Sequence, residues 1–253
     1  WPPMELEWGC ADRACIAFGP MVDTVFPEYL TDPSLIFCPS DPQDRLENYY
    51  DSTGRLTLAM RLRGNRNEGV EAIDASYSYT GFLLDQLDDT APKADLSLIN
   101  TLASTAGIDP ISEEFTEGPA QLIELLQSLF LGIAPYAIAM DADGFRDAAG
   151  QDRAVALGSG TGGGDKILRL REGVERFMIT DINNASAGNH AQSEVFVMWD
   201  NISSEAARFN HIPGGSNVLF MDGHVEFVKY PGPPPVSRIL AEMFRLFDTP
   251  PAV

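Results

Sequence analysis

The sequence predicts an α+β fold, on three observations. Residues 209–231, FNHIPGGSNVLFMDGHVEFVKYP, hold two apolar runs split by Asp222-Gly223, the pattern of a β-hairpin. Leu122, Leu125, Leu126 and Leu129 recur at three- and four-residue spacing, the stripe of a core helix. A chain of 253 residues with 44% hydrophobic content can bury a sizeable core around both.

Taken in order, residues 1–63 read as a helical spine and a first strand. Ile16, Phe18, Met21, Val22, Val25 and Phe26 are spaced for a helix kinked near Gly19-Pro20 and ended before Pro27. Leu35-Ile36-Phe37-Cys38 reads as a short buried strand that delivers Cys38 to the turn Pro39-Ser40-Asp41-Pro42. Leu56, Leu58, Met60 and Leu62 alternate as in a half-buried strand. Residues 64–164 form a long mixed insertion, with a strand-like stretch at 77–81 and helices over 94–106 and 120–133. Its end, 141–164, is rich in Asp, Gly and Ala and reads as a flexible loop. The run Gly158 to Gly164 lacks the GK[ST] ending of a phosphate-binding loop. Residues 165–253 return to clear patterning: a strand into a short amphipathic helix from Lys166, an apolar strand Val195–Asp200, the hairpin, a Pro231–Pro235 spacer and a terminal helix over 236–247. All three segments are expected to share one globular domain. A two-residue type I′ turn at Asp222-Gly223 would set Phe220 opposite Val225 and Val218 opposite Phe227, giving the ribbon one apolar face.

The charge narrows the partners. Lys plus Arg number 17 against 37 Asp plus Glu, a net charge of -20, which repels nucleic acid and anionic membranes and suits cations or basic partners. No uncharged apolar run reaches bilayer length, and the nearest stretch, 125–140, holds Gln127, Gly132 and Pro135, so the globular part is expected not to span a membrane. The chain opens on Trp1 without a basic, apolar leader, so any export signal is expected outside it. Cys10, Cys15 and Cys38 cluster early and suggest one disulfide and one leftover thiol in an exported protein, with three pairings open. Asn184 and Asn201 each head an N-x-S sequon, a glycosylation signal if the compartment allows it.

Several constellations carry chemistry. Asp141, Asp143, Asp147 and Asp152 place hard oxygen ligands in one short stretch, a calcium candidate, although Asp152 stands where an EF-hand has its bidentate Glu. His211, Asp222 and His224 are metal-ligand types and support an alternative reading as a metallohydrolase. There is no G-x-S-x-G elbow. Trp1, Trp8, Tyr77, Tyr79 and Trp199 support another alternative, a soluble module that binds surface glycans.

Residues 210–225, with Asn210-His211, Gly214, Gly215, Asn217, Asp222, Gly223 and His224, resemble the C-terminal His-x9-Asp-Gly signature of bacterial pilin-like proteins, relatives of type IV pilins and type II secretion pseudopilins. Ten residues rather than nine separate His211 from Asp222, because Ile212-Pro213 stands where one residue is usual. Phe37-Cys38-Pro39-Ser40-Asp41 resembles the CPSD element of that family, and Val197-Met198-Trp199-Asp200 its W-D strand. Residues 170–184 look like a sub-group signature. The resemblance covers 35–42 and 165–231 and leaves 64–164 without a counterpart. It implies a pilin-like head with a small antiparallel sheet, and a non-enzymatic structural subunit of an extracellular filament or periplasmic pseudopilus on the bacterial cell surface. Its partners would be other pilin-like subunits, either in a homo-oligomeric filament or with a separate small helical chain. The implied N-terminal apolar helix would lie outside this chain.

Overall fold

The computed structural model describes residues 4–10, 13–25, 27–41, 45–50, 52–54, 76–105, 109–177, 192–206, 209–211 and 214–246. The expected strand at 55–63, the sub-group stretch 178–184 with Asn184, and His190 lie outside these residues.

Residues 13–20 are a strand, not a helix: β1, Met4–Cys10, pairs antiparallel with β2, Arg13–Pro20, setting Leu6 opposite Ile16 and Glu7 opposite Cys15. Ile16 and Phe18 fit a period of two as well as a helical one, and the β1 partner decides between them. Helical backbone is confined to one turn, α1, Val22–Val25. The stretch expected as a buried strand is a 3-10 turn, Pro33–Ile36, whose entry is fixed by the Asp32 carboxylate accepting from the Ser34 N–H at 2.9 Å. Pro33 at its first position favours that turn over an extended run. Phe37 and Cys38 are nevertheless buried.

Among the described residues the central sheet has four antiparallel strands in the order β10-β9-β8-β3. They are β3, Tyr77–Ser78; β8, Phe196–Asp200; β9, Gly215–Phe220; and β10, Val225–Lys229. Tyr77 lies opposite Asp200 and Trp199 opposite Val218. The hairpin forms where expected, but one residue out of the expected register: Leu219 pairs with Val225, Val218 with Glu226 and Asn217 with Phe227. The cause is the loop. The Gly223 N–H donates to the Phe220 carbonyl at 2.9 Å, and Gly223 holds φ 91, so the turn has three residues with a left-handed glycine rather than two. A one-residue slip moves side chains to the opposite face. Val225 and Phe227, expected inside, are therefore exposed on the edge strand while Val218 and Val228 are buried.

Helices of the insertion share one buried cluster with this sheet. The short ladder of β4, Lys93–Asp95, with β5, Glu117–Pro119, brackets α2, Ser97–Thr105, and leads into α3, Ala120–Ala139. Leu122, Leu125, Leu126 and Leu129 of α3 are buried as the stripe requires. The helix runs on past Pro135, which forfeits a single backbone bond on an exposed turn, and stops at Met140 in the left-handed conformation. By length and composition α3 is the one candidate membrane-crossing helix among the described residues, and its first half is core.

The segment expected as a flexible loop is ordered. Residues 142–149 form helix α4, Ala142–Ala149, capped by the Asp141 carboxylate on the Gly144 N–H. Then β6, Arg153–Ala154, pairs with β7, Lys166–Ile167, around the glycine run. Polar side chains tie that run down: the Thr161 hydroxyl donates to the Leu83 carbonyl at 3.0 Å, and the Asp85 carboxylate accepts from the Gly162 N–H at 2.8 Å. Gln121 in turn accepts from the Asp85 and Gln86 N–H groups. After a 3-10 turn at Val174–Phe177, the expected terminal helix is α5, Arg238–Arg245.

One buried cluster draws on all three sequence segments, from Phe18 through α3 to Phe244. Its aromatic centre is Trp199, packed edge-on to Phe196 at 5.4 Å and tilted against Phe244 at 5.1 Å.

Two glycines of the hairpin separate conformational strain from collision. A Cβ at Gly223 meets open space but needs positive φ, whereas one at Gly215 would strike the Val228 carbonyl across the ladder. Gly223→Ala should cost about 1 kcal/mol and Gly215→Ala at least about 2 kcal/mol. Chemical denaturation midpoints measure both, and equal costs would refute the register.

Candidate functional site

The site lies where the C-terminal end of β8 meets the start of β9. Strand alternation sends Trp199 into the core and leaves Asp200 on the other side, buried with 3% of its surface exposed. Its Oδ2 accepts from both the backbone N–H and the side-chain Nδ2 of Asn217, each at 2.8 Å. The Ser216 hydroxyl donates to the Asp200 carbonyl at 2.9 Å. These bonds need residues 216 and 217 beside Asp200, which is the β8–β9 pairing observed.

His211 arrives from the preceding turn, closed by the Gly214 N–H on the His211 carbonyl at 2.6 Å. Its Nε2 lies 2.9 Å from Oδ2 of Asp200 and 3.4 Å from Nδ2 of Asn217. The Phe227 ring stands edge-on to the imidazole at 6.3 Å. Cys38, just beyond the 3-10 turn and 173 positions away, places Sγ 3.4 Å from the same Nε2. Burial, first, and then the carboxylates of Asp200 and Asp41 push the Cys38 thiol above its ordinary range. The next turn is closed by the Asp41 N–H on the Cys38 carbonyl at 3.0 Å and held by the Asp41 carboxylate, whose Oδ2 accepts from the Ser76 hydroxyl at 2.7 Å. The Ser76 carbonyl accepts from the Asn201 N–H at 2.9 Å and from the Asn210 side chain at 2.6 Å. Residues 38, 41, 76, 200, 201, 210, 211 and 217 thus share one hydrogen-bonded network.

No protein-family model, curated protein or solved structure matches this chain. The chemistry of the site therefore rests on its geometry. Both Cys38 and Asp200 meet Nε2 of His211. In a cysteine nucleophile the carboxylate orients the base through its other nitrogen and the thiol is acidified, so this arrangement lacks the form of a proton relay. The Sγ, Nε2 and carboxylate oxygen of Cys38, His211 and Asp200 lie within 4.8 Å of one another, a set of metal-ligand atoms.

The histidine constellation of the sequence is split. Asp222 and His224 sit at the exposed hairpin turn, where Oδ1 of Asp222 accepts from the His224 N–H at 3.1 Å and lies 2.6 Å from its Nδ1. The His224 ring stacks on Phe220 at 4.5 Å. Those hydrogen bonds hold the Asp222 carboxyl below its usual range. His211 is at the far end of β9, five strand residues and about 15 Å away by strand rise, so the three residues of the metallohydrolase reading do not converge. The calcium candidates are dispersed by α4: Asp141 caps it, Asp143 and Asp147 lie exposed along it, and Asp152 accepts from the Arg169 N–H at 2.8 Å and pairs with Arg171 at 3.2 Å.

Cys38 is a free buried thiol, so it is not a disulfide partner, and the side chains of Cys10 and Cys15 lie outside the described residues. Asn201 accepts from the Ser78 hydroxyl at 2.6 Å through its Oδ1 and is half-buried rather than presented on an open loop. Tyr79 and Trp199 are buried and offer no face to a glycan. Asp200 was the residue missed. The signal available was the pairing of a buried-strand pattern with an acidic last residue, which demands a partner.

Two consequences are measurable. Asp200→Ala leaves the Asn217 donors without their acceptor and should destabilise the fold by about 3 kcal/mol, against about 1 kcal/mol for Asn217→Ala, in denaturant unfolding. Burial, with the neighbouring Cys38, Asp200 and Asp41 anions, pushes the Tyr77 phenol up to about 12, and burial alone does the same to Tyr79 against the opposing Arg169. A folded-state value above the unfolded one means the associated stability is intact below pH 10 and is lost as pH rises towards 12. Alkaline difference absorbance should show Tyr77 and Tyr79 among the late-titrating tyrosines, with Tyr230 also raised by burial, and Tyr77→Phe should remove one of them.

Proposed function

We propose that the chain is the globular head of a non-enzymatic, pilin-like subunit that assembles into a filament at the bacterial cell surface or a periplasmic pseudopilus. The observation that carries this reading is convergence. Cys38 and Asp41 of the CPSD-like element, Trp199 and Asp200 of the W-D-like strand, and Asn210, His211 and Asn217 of the C-terminal signature meet in one buried network, although 173 positions separate Cys38 from His211. Residues that resemble a scattered family signature thereby acquire one structural task, bracing the hairpin against the preceding turn. The small antiparallel sheet beneath an α+β head is consistent with the same reading.

Assembly requires apolar surface that the single head leaves uncovered. Leu131, Ile138 and Met140 at the end of α3 are 75%, 85% and 67% exposed, and Val225 and Phe227 project from the edge strand. Other pilin-like subunits, or a separate helical chain, would cover them. With a net charge of -20, neither nucleic acid nor an anionic bilayer is a partner for this surface.

Antibodies raised against the purified head should label filaments sheared from cells that carry the gene. Leu131→Asp combined with Ile138→Asp should abolish those filaments while the head still accumulates in folded form. Recovery of the wild-type chain solely as a soluble monomer in the culture fluid would refute the proposal.

A further inference from the structure

The cluster at the end of β8 also has the composition of an ion site. Cys38, Asp200 and His211 supply sulfur, oxygen and nitrogen, and their ligand atoms lie within 4.8 Å of one another. Zinc bonds of about 2.0 to 2.3 Å in tetrahedral geometry put ligand atoms roughly 3.3 to 3.7 Å apart. The Cys38 Sγ to His211 Nε2 separation of 3.4 Å already has that length. The Nε2 to Oδ2 separation of 2.9 Å needs to open by about half an ångström, exchanging one hydrogen bond for a shared ion.

The surroundings favour a cation. Asp200 is buried, and among the described residues no lysine or arginine pairs with it. Asp41 and Cys38 add further acidic groups beside the same Tyr77 phenol. Asn217 holds the Asp200 carboxylate by two bonds of 2.8 Å, the outer support that ligating carboxylates typically receive. One thiolate and one imidazole exclude calcium and magnesium, which take oxygen ligands, and select a late first-row ion. The His211 side chain, 22% exposed, leaves a way in from solvent.

We propose that Cys38 Sγ, His211 Nε2 and the Asp200 carboxylate bind one zinc-class divalent ion, with solvent in a fourth position. The ion ties the 3-10 turn to the sheet, reinforcing the hydrogen-bonded network by cross-linking its most distant chain segments. The thiol gives up its proton to solvent as the ion enters, and the imidazole binds as the neutral tautomer with its proton on Nδ1.

Cobalt(II) chloride added to the chelator-treated full chain tests this by absorbance. Saturation at one equivalent is expected, with a sulfur-to-cobalt charge-transfer band in the near ultraviolet and d–d intensity typical of four-coordination. Zinc chloride should displace the cobalt and raise the melting temperature. Cys38→Ser should remove the charge-transfer band, and Asp200→Asn and His211→Ala should weaken binding at least about tenfold, as should Asn217→Ala. Cys15→Ser and His224→Ala should bind as the parent does. Circular dichroism checks that each variant is folded. The wild-type and Cys38→Ser titrations decide the matter without the others: no thiolate band at one equivalent, or a band that survives in Cys38→Ser, overturns the proposal.

Discussion

The constraint on which the sheet depends is the burial of a carboxylate at Asp200. An ionised group out of water must be hydrogen-bonded, and here the donors are the backbone and side chain of Asn217 on the neighbouring strand. Because strand side chains alternate, holding Asp200 on one face commits Trp199 to the other, where Phe196 and Phe244 close around it. A slip of one residue between β8 and β9 would expose the carboxylate's lone pairs to apolar surroundings and withdraw Trp199 from the core together. Register and core are therefore specified by one dipeptide. The same carboxylate meets His211 and, through it, Cys38, so the N-terminal turn is positioned by an interaction whose origin lies in the C-terminal sheet.

How much of this was legible in the sequence depends on how local each cause is. The helices α2 and α3 follow from patterning within their own residues, and the terminal helix from its apolar spacing, with the Ser237 cap added by the structure. The hairpin was legible as a hairpin, but Asp-Gly serves both a two-residue turn and a three-residue turn with a left-handed glycine. Pairing Phe220 with Val225 looked better by apolar matching alone. The observed register follows from the three-residue loop, in which the Gly223 N–H donates to the Phe220 carbonyl and the Phe220 N–H to the His224 carbonyl. Residues 13–20 carry a pattern compatible with either helix or strand, and only the presence of β1 resolves it. The site was half legible: His211 and Asn217 stood out, as did Cys38 in its turn. Their meeting point did not, because tertiary contacts across 173 positions have no local signal.

The glycine run shows a different failure of local reading. The glycines at 158–164 suggest freedom, yet Asp85 and Gln86 bond to the backbone there and Thr161 ties the run to the Leu83 carbonyl. A Cβ at Gly160 would strike the backbone of Lys166 and Gly164, so that glycine serves close approach rather than motion. Gly81 and Gly132 act similarly towards arginine: their missing Cβ atoms make room for the guanidinium groups of Arg169 and Arg153. Arg169 lies 4.9 Å over the Phe82 ring, and burial pulls both guanidinium groups below their ordinary range. Small residues in this insertion are places where something large and charged is admitted.

Under the proposed reading as a filament subunit, the net charge of -20 works against long-range attraction between copies. Heads that acidic repel one another within about a Debye length, roughly 8 Å at physiological salt, and are screened beyond it, so charge cannot draw copies together at any distance. Attraction has to come from surfaces in direct contact. The exposed apolar groups at the end of α3 and on β10 meet that requirement, since burying them gains free energy only on close packing. The edge strand β10 is then a surface that must be both exposed and rigid. Its rigidity is inherited through β9 from the Asp200 network, because Phe227 of β10 pairs with Asn217 and packs against His211. An ion on Cys38, Asp200 and His211 would act on the same strand from behind. Its contribution to assembly would thus be indirect: it would fix the shape of the contact surface and leave the contact itself to apolar side chains.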